Sequence, residues 1–378
     1  MVASQIQPRD AARMTTALLL IVVLLAASNG ANDNFKGVAA LHGSGVAGYW
    51  TSLGWGSVTT LAGSLCSVFL ARALLKAFTG AGLVPADIAG GTGFALAVAG
   101  GAALTVALGS WRGLPISTTH ALVGAMCGAG VIAAGAGVHF ASLGKTFLLP
   151  LLASPVIAIV PAWLIAPLLR KFAQRAAAQP ECICSPSVAT SPNGDAVMMR
   201  AASHTIRATN SECSAHGLRP RKLRTDARGG ISVLLFVASG AVSFARGLND
   251  TPKIAALLLP IAALDASGAV LAVGVAMLLG GLIGARRVAR TMSEKITRLD
   301  IGAALAASLT TALLVGTASV NGLPVSTTHV SVGALAGAGA SGKGDGVDRK
   351  VMSNIALSWI FTLPIGAIFG AALFWMVG

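Results

Sequence analysis

The segment Gly113-Leu114-Pro115-Ile116-Ser117-Thr118-Thr119-His120 returns downstream as Gly322-Leu323-Pro324-Val325-Ser326-Thr327-Thr328-His329. Over residues 113–125 and 322–334, ten of thirteen positions are identical. A second motif is duplicated in the same order. Gly30-Ala31-Asn32-Asp33-Asn34-Phe35-Lys36 closes the first long apolar run, and Gly247-Leu248-Asn249-Asp250-Thr251-Pro252-Lys253 closes a later one. Asp87-Ile88 and Asp300-Ile301 correspond as well. Two copies of one unit, each carrying the motifs in the same sequence, are an internal duplication.

The copies are not soluble domains. Only 11% of the 378 residues are charged and 54% are hydrophobic, whereas soluble domains carry roughly 25% charged residues. Mean hydropathy is +0.77, and several apolar runs approach the ~20 residues needed to cross a bilayer. The 46 glycines suit close helix packing in lipid. Ten segments are expected, at about 14–42, 51–78, 86–110, 113–138 and 145–169, then 231–261, 266–285, 299–320, one opening at Gly322, and 351–377. The apolar run at 15–27 has small residues after it, as a secretory signal does. Cleavage there would remove it from the motif that has a downstream counterpart, so it is read as a membrane segment.

Charge sets the expected orientation. The net charge of +14 is not a nucleic-acid-binding face: ten Lys/Arg against four Asp/Glu fall between Arg170 and Arg228. That is the signature of a cytoplasmic loop. Residues 170–229 are therefore expected to be a polar, disordered cytoplasmic linker between a first membrane repeat (1–169) and a second (230–378). Arg286, Arg287, Arg290, Lys295 and Arg298 oppose a lone Glu294, whereas the equivalent loop of the first half has only Arg72 and Lys76. An inverted repeat puts these loops on opposite sides, which predicts that imbalance. The expected fold is an all-α polytopic membrane protein of two inverted-topology repeats, about five crossings each, with broken or re-entrant helices and 10–12 membrane segments in all. Cys66, Cys127, Cys182, Cys184 and Cys213 imply no disulfide framework. The spacing of Cys182, Cys184, His204, Cys213 and His216 fits no zinc pattern.

Each motif has a chemical reading. Gly-Leu-Pro breaks a helix and starts another, and the Ser/Thr run that follows caps free N–H groups. A half-helix beginning inside the membrane presents its positive end to the interior, where Ser117, Thr118, Thr119, Ser326, Thr327 and Thr328 add hydroxyl donors. Two such ends facing each other can surround a tetrahedral oxyanion. His120 and His329 are read as orienting the half-helices. Asp33 and Asp250 are intramembrane carboxylates, functional candidates because burial in lipid is costly. Carboxylates repel an anion, so a cation or a proton has to mediate. Lys36 and Lys253 lie one helical turn beyond them, within reach of each carboxylate; the alternative is that both extend to a membrane surface.

The two Gly-x-Asn-Asp motifs, with the two Gly-Leu-Pro-x-Ser-Thr-Thr-His segments, resemble the inorganic phosphate transporter family of cation-coupled symporters, which has sulfate-transporting members. The resemblance covers both halves and omits only 170–229. It implies import of inorganic phosphate by H⁺ or Na⁺ symport, with alternating access around a midplane site at the repeat interface. It implies phosphate at Ser117, Thr118, Thr119, Ser326, Thr327, Thr328, Asn32 and Asn249. The coupling cation or proton is assigned to Asn29, Asp33, Lys36, Asp250 and Lys253, with Asp33 and Asp250 as the Na⁺ ligands if Na⁺ is used. Lys36 and Lys253 stand where the family pattern has Asn, which puts Na⁺ coupling in question. No cofactor and no enzyme activity are expected. The expected partners are phosphate and membrane lipid, with a homodimer left open and a bacterial inner membrane as the location. The rivals are a sulfate permease, an intramembrane aspartyl protease built on Asp33 and Asp250, and a nutrient sensor. The shared Asn-Asp context disfavours the protease.

Overall fold

The computed structural model describes residues 8–177, 227–342 and 346–377, together with the short stretches 182–185, 206–208 and 219–222. Ten helices build the membrane region. In the first half they are α1 (Pro8–Asp33), α2 (Tyr49–Leu70), α3 (Thr92–Trp111), α4 (Thr118–Ala134) and α5 (Leu149–Ala177). In the second they are α6 (Ala227–Ala255), α7 (Ala266–Gly284), α8 (Ile301–Val320), α9 (Thr327–Ala340) and α10 (Arg349–Val377). Short helical turns join them.

Among the described residues, nine helical stretches are long and apolar enough to cross a membrane, against the 10–12 segments expected. Helix α9 falls short at 14 residues, about 21 Å against a hydrocarbon core of about 30 Å. Its first turn starts among buried side chains.

That interior start is built identically in both halves. Helix α3 ends in a Schellman turn: the Leu114 N–H reaches the Gly109 carbonyl at 3.0 Å and the Gly113 N–H the Ser110 carbonyl at 3.0 Å. Helix α8 ends the same way, with Leu323 on Ala318 at 2.8 Å and Gly322 on Ser319 at 3.1 Å. The turn needs a left-handed residue, and Gly113 (φ 69°) and Gly322 (φ 70°) supply it. Proline follows at 115 and 324, the chain runs extended, and Ser117 and Ser326 open the next helices. Each serine hydroxyl oxygen accepts from the backbone N–H three residues on, at 3.2 Å from His120 and 3.3 Å from His329.

The helices pack in reciprocal pairs across the halves. Helix α1 lies on α7 and α6 on α2; α4 lies on α10 and α9 on α5. Glycine makes these contacts close enough for backbone to meet backbone. A Cβ on Gly124 would stand 2.1 Å from the Leu363 carbonyl oxygen and one on Gly128 1.9 Å from that of Ala367. The equivalent Gly333 and Gly337 meet the carbonyls of Pro155 and Ile159 in the same way, at 2.6 and 2.3 Å. With lipid on the outside, such close packing is what holds helices together.

Helix α5 runs on to Ala177 and α6 begins at Ala227, so helix enters both ends of the 170–229 segment. Within it, β1 (Cys182–Ser185) lies between β2 (Ile206–Ala208) and β3 (Arg219–Lys222) in an antiparallel sheet. His204, Cys213 and His216 lie outside the described residues.

Candidate functional site

Helix α1 ends at Asp33, followed by a turn at Asn34-Phe35 and a 3₁₀ turn, Lys36–Val38. Helix α6 instead runs through Pro252 to Ala255. Either way the lysine comes within a turn of its aspartate. Lys36 Nζ lies 2.5 Å from Asp33 Oδ1 and Lys253 Nζ 3.6 Å from Asp250 Oδ1. Both lysines are buried, at 3% and 1% exposure, and neither extends to a membrane surface.

The lysines also join the starts of α4 and α9, each by a crossed contact. Lys36 donates to the Ile116 carbonyl in its own half at 2.8 Å and to Thr328 Oγ1 in the other at 2.6 Å. Lys253 donates to the Val325 carbonyl at 2.8 Å and to Thr119 Oγ1 at 2.9 Å. The threonines complete the crossing: Thr328 donates to the Ile116 carbonyl at 2.8 Å and Thr119 to that of Val325 at 3.4 Å.

The amides flank this centre. Asn29 donates to Thr118 Oγ1 at 2.9 Å and to Asp33 Oδ2 at 3.2 Å. Asn249 donates to Thr327 Oγ1 at 3.1 Å, to the Val325 carbonyl at 3.2 Å and to Asp250 Oδ1 at 3.0 Å. Asn32 secures the Schellman turn through Ser110 Oγ at 3.1 Å and the Leu114 carbonyl at 3.0 Å, and accepts from Lys36 at 2.7 Å. The structure thus brings together Asn29, Asn32, Asp33, Lys36, Thr118, Thr119, Asn249, Asp250, Lys253, Thr327 and Thr328. Ser117 and Ser326 accept the cap bonds of their helices, as described above. The rings of His120 and His329 lie side by side, 4.7 Å between centroids, with His329 Nδ1 3.0 Å from the Leu151 carbonyl.

One participant escaped the sequence reading. Arg246, fully buried, sits one turn before Asp250. Its Nη2 donates to Asn29 Oδ1 at 2.6 Å, its Nη1 to Asn34 Oδ1 and, at 3.3 Å, to Thr60 Oγ1, and its Nε stands 3.6 Å from Asp250 Oδ2. A lone arginine in an apolar run, four residues before a candidate aspartate on one helix face, was the available signal.

Two surface grooves follow the same pseudo-symmetry. One, between α3 and α10, has a volume of about 370 Å³ and is lined by Thr105, Arg112, Ile116 and Ser358. The other, between α8 and α5, has about 400 Å³ and is lined by Leu314, Asn321, Val325 and Ser154. Ile116 and Val325, whose carbonyls hold the lysines, face one groove each.

Residues 29–370, both halves of this arrangement, match the model of the phosphate transporter family PHO4. The chain belongs to the phosphate transporter family. This is a family of transporters, not of enzymes, and the chain is an integral membrane protein. It is 38% identical over 109 residues to the low-affinity inorganic phosphate transporter PitA of Escherichia coli, 28% of this chain and 22% of that one. The chain thus spans about a fifth of the length of the first curated relatives it matches. Longer matches are the chloroplastic inorganic phosphate transporter 2-1 of Arabidopsis thaliana (27% over 325 residues, 71% of this chain and 55% of that one) and a putative phosphate permease of Thermococcus kodakarensis (28% over 301 residues, 69% and 72%). The fold matches that of a sodium-dependent phosphate transporter with a TM-score of 0.74, over 96% of this chain and 98% of that one, at 22% identity.

Proposed function

We propose that this phosphate transporter family member imports inorganic phosphate by cation symport, alternating access around the crossed lysine centre between two inverted repeats. The observation that carries the reading is that centre: Lys36 bound to Thr328, and Lys253 to Thr119, across the halves. Two helix N-termini and two ammonium groups converging in a buried place suit an anion, because fixed positive ends replace the water it gives up. A tetrahedral oxyanion has acceptors on every side and meets donors from both halves. As it enters, the lysines and threonines exchange their mutual bonds for bonds to its oxygens, while Asp33 and Asp250 hold the ammonium groups in place.

The reciprocal packing supports inversion of the repeats, and the two grooves are the seams along which the site would open to either side. The relatives named as phosphate transporters support phosphate as the cargo. The excess of basic residues after Leu169 supports a cytoplasmic location for the central segment. Counterflow into proteoliposomes loaded with unlabelled phosphate or sulfate tests the reading. Labelled phosphate should accumulate against phosphate and poorly against sulfate; accumulation of labelled sulfate without phosphate, or of neither, would overturn it.

A further inference from the structure

The five charged side chains buried among the described residues are Asp33, Lys36, Arg246, Asp250 and Lys253. A Na⁺ ion in such a centre would need several of its oxygens as ligands, with two carboxylates as its main electrostatic support. Most of those oxygens already accept from N–H groups of the chain. Asp33 Oδ1 and Asn32 Oδ1 hold Lys36. Asn29 Oδ1 and Asn34 Oδ1 hold Arg246. The Ile116 and Val325 carbonyls hold Lys36 and Lys253. Asp250 Oδ1 accepts from Asn249 at 3.0 Å and faces Lys253 at 3.6 Å; Asp250 Oδ2 accepts no hydrogen bond among the described residues, and the Arg246 guanidinium stands 3.6 Å from it as its counter-charge.

Resting on the phosphate reading, we propose that Lys36, Arg246 and Lys253 are tethered counter-ions that occupy the electrostatic role of Na⁺, so that this site binds its oxyanion without Na⁺. Charge balance agrees. Three fixed cations against two carboxylates leave one positive charge in excess, and one singly charged oxyanion, such as dihydrogen phosphate, cancels it. Adding Na⁺ to the same place would set a fourth cation against the other three, at low dielectric, where like charges repel most. The lysine chemistry also fits: an ammonium group is a compact point charge with three donors, so it can serve carboxylate and oxyanion together. The duplicated motif puts one such group at each half of the site, and Arg246 adds a third on one side only.

The test is equilibrium binding of labelled phosphate to the purified full-length protein in nanodiscs, in NaCl and in equimolar choline chloride. The dissociation constant should agree within about twofold between the two salts, and weakening by about tenfold or more in choline would overturn the proposal. Lys36→Asn with Lys253→Asn removes two of the tethered charges. That variant should bind only when Na⁺ is present, or lose binding in both salts while still melting cooperatively, at a lower temperature than the wild type because two buried ion pairs are broken. Wild-type affinity in choline for the double variant would overturn the role of the lysines. Lys36→Arg with Lys253→Arg, which keeps the charge, should stay indifferent to Na⁺; a new Na⁺ requirement there would count against tethered charge. Absence of phosphate binding by the wild type in both salts would overturn the phosphate reading itself, whereas binding that requires Na⁺ overturns only this one.

Discussion

Arg246 donates its Nη2 proton to Asn29 Oδ1 at 2.6 Å, and these two residues hold the same position in the two copies of the repeat, each four before its aspartate. Equivalent residues of the two copies thus meet across the halves. Two arginines there would place like charges together in a buried site, where they repel most. Arginine against asparagine makes a donor–acceptor pair instead. The departure from repetition here supplies one of the hydrogen bonds that join the halves.

Arg246→Leu should therefore do more than remove a contact. It leaves Asp250 without its guanidinium, and breaking a buried ion pair costs about 3–5 kcal/mol. A lower melting temperature in detergent and loss of phosphate uptake are expected, with partial recovery in Arg246→Lys. An unchanged melting temperature in Arg246→Leu would contradict the pairing.

Thr118→Val and Thr327→Val test the starts of α4 and α9. Each removes a hydroxyl bonded to an Asn of the same centre while keeping the shape. If these hydroxyls also donate to the bound anion, each loss should cost roughly 1.5–3 kcal/mol, or about ten- to a hundredfold in affinity. Isothermal titration with phosphate reads this directly, and unchanged affinity in both variants would remove the threonines from the binding site.

Gly128 and Gly337 report on packing alone. A methyl group on either collides with a backbone carbonyl of α10 or α5, which has no soft end to yield. Gly128→Ala and Gly337→Ala should each destabilise by a few kcal/mol, as overpacking does. Gly54→Ala, on α2 with open space around it, should be neutral or slightly stabilising, since alanine favours helix over glycine by about 1 kcal/mol. Thermal-shift curves on the three variants separate these outcomes.

The reciprocal pairing of helices has a consequence for folding. Helices α1 and α4 find their main partners, α7 and α10, in the other half. Neither half buries its small-residue faces by itself. Residues 1–180 and 224–378 expressed separately should fail to give stable monodisperse protein. Co-expressed, they should associate and recover phosphate uptake, because the bonds that unite the halves lie in the helices. A stable isolated half would contradict this.

The sequence by itself determined that two copies of one helical unit span a membrane, where α4 and α9 begin, and that an aspartate and a lysine lie one turn apart in each copy. These follow from local causes: an apolar run long enough for lipid, a glycine free to turn left-handed, a proline and serine that start a helix, and helical spacing. The tertiary structure decided which groups meet. That Lys36 reaches Thr328 and Lys253 reaches Thr119, rather than the threonines of their own halves, depends on how far one copy rotates against the other, which no local pattern encodes. The place of Arg246 was hidden for the same reason. Its spacing to Asp250 was visible, but its partners Asn29, Asn34 and Thr60 all lie in the other half. Long-range packing of glycine against backbone carbonyl sets those distances, and only a closed core fixes them.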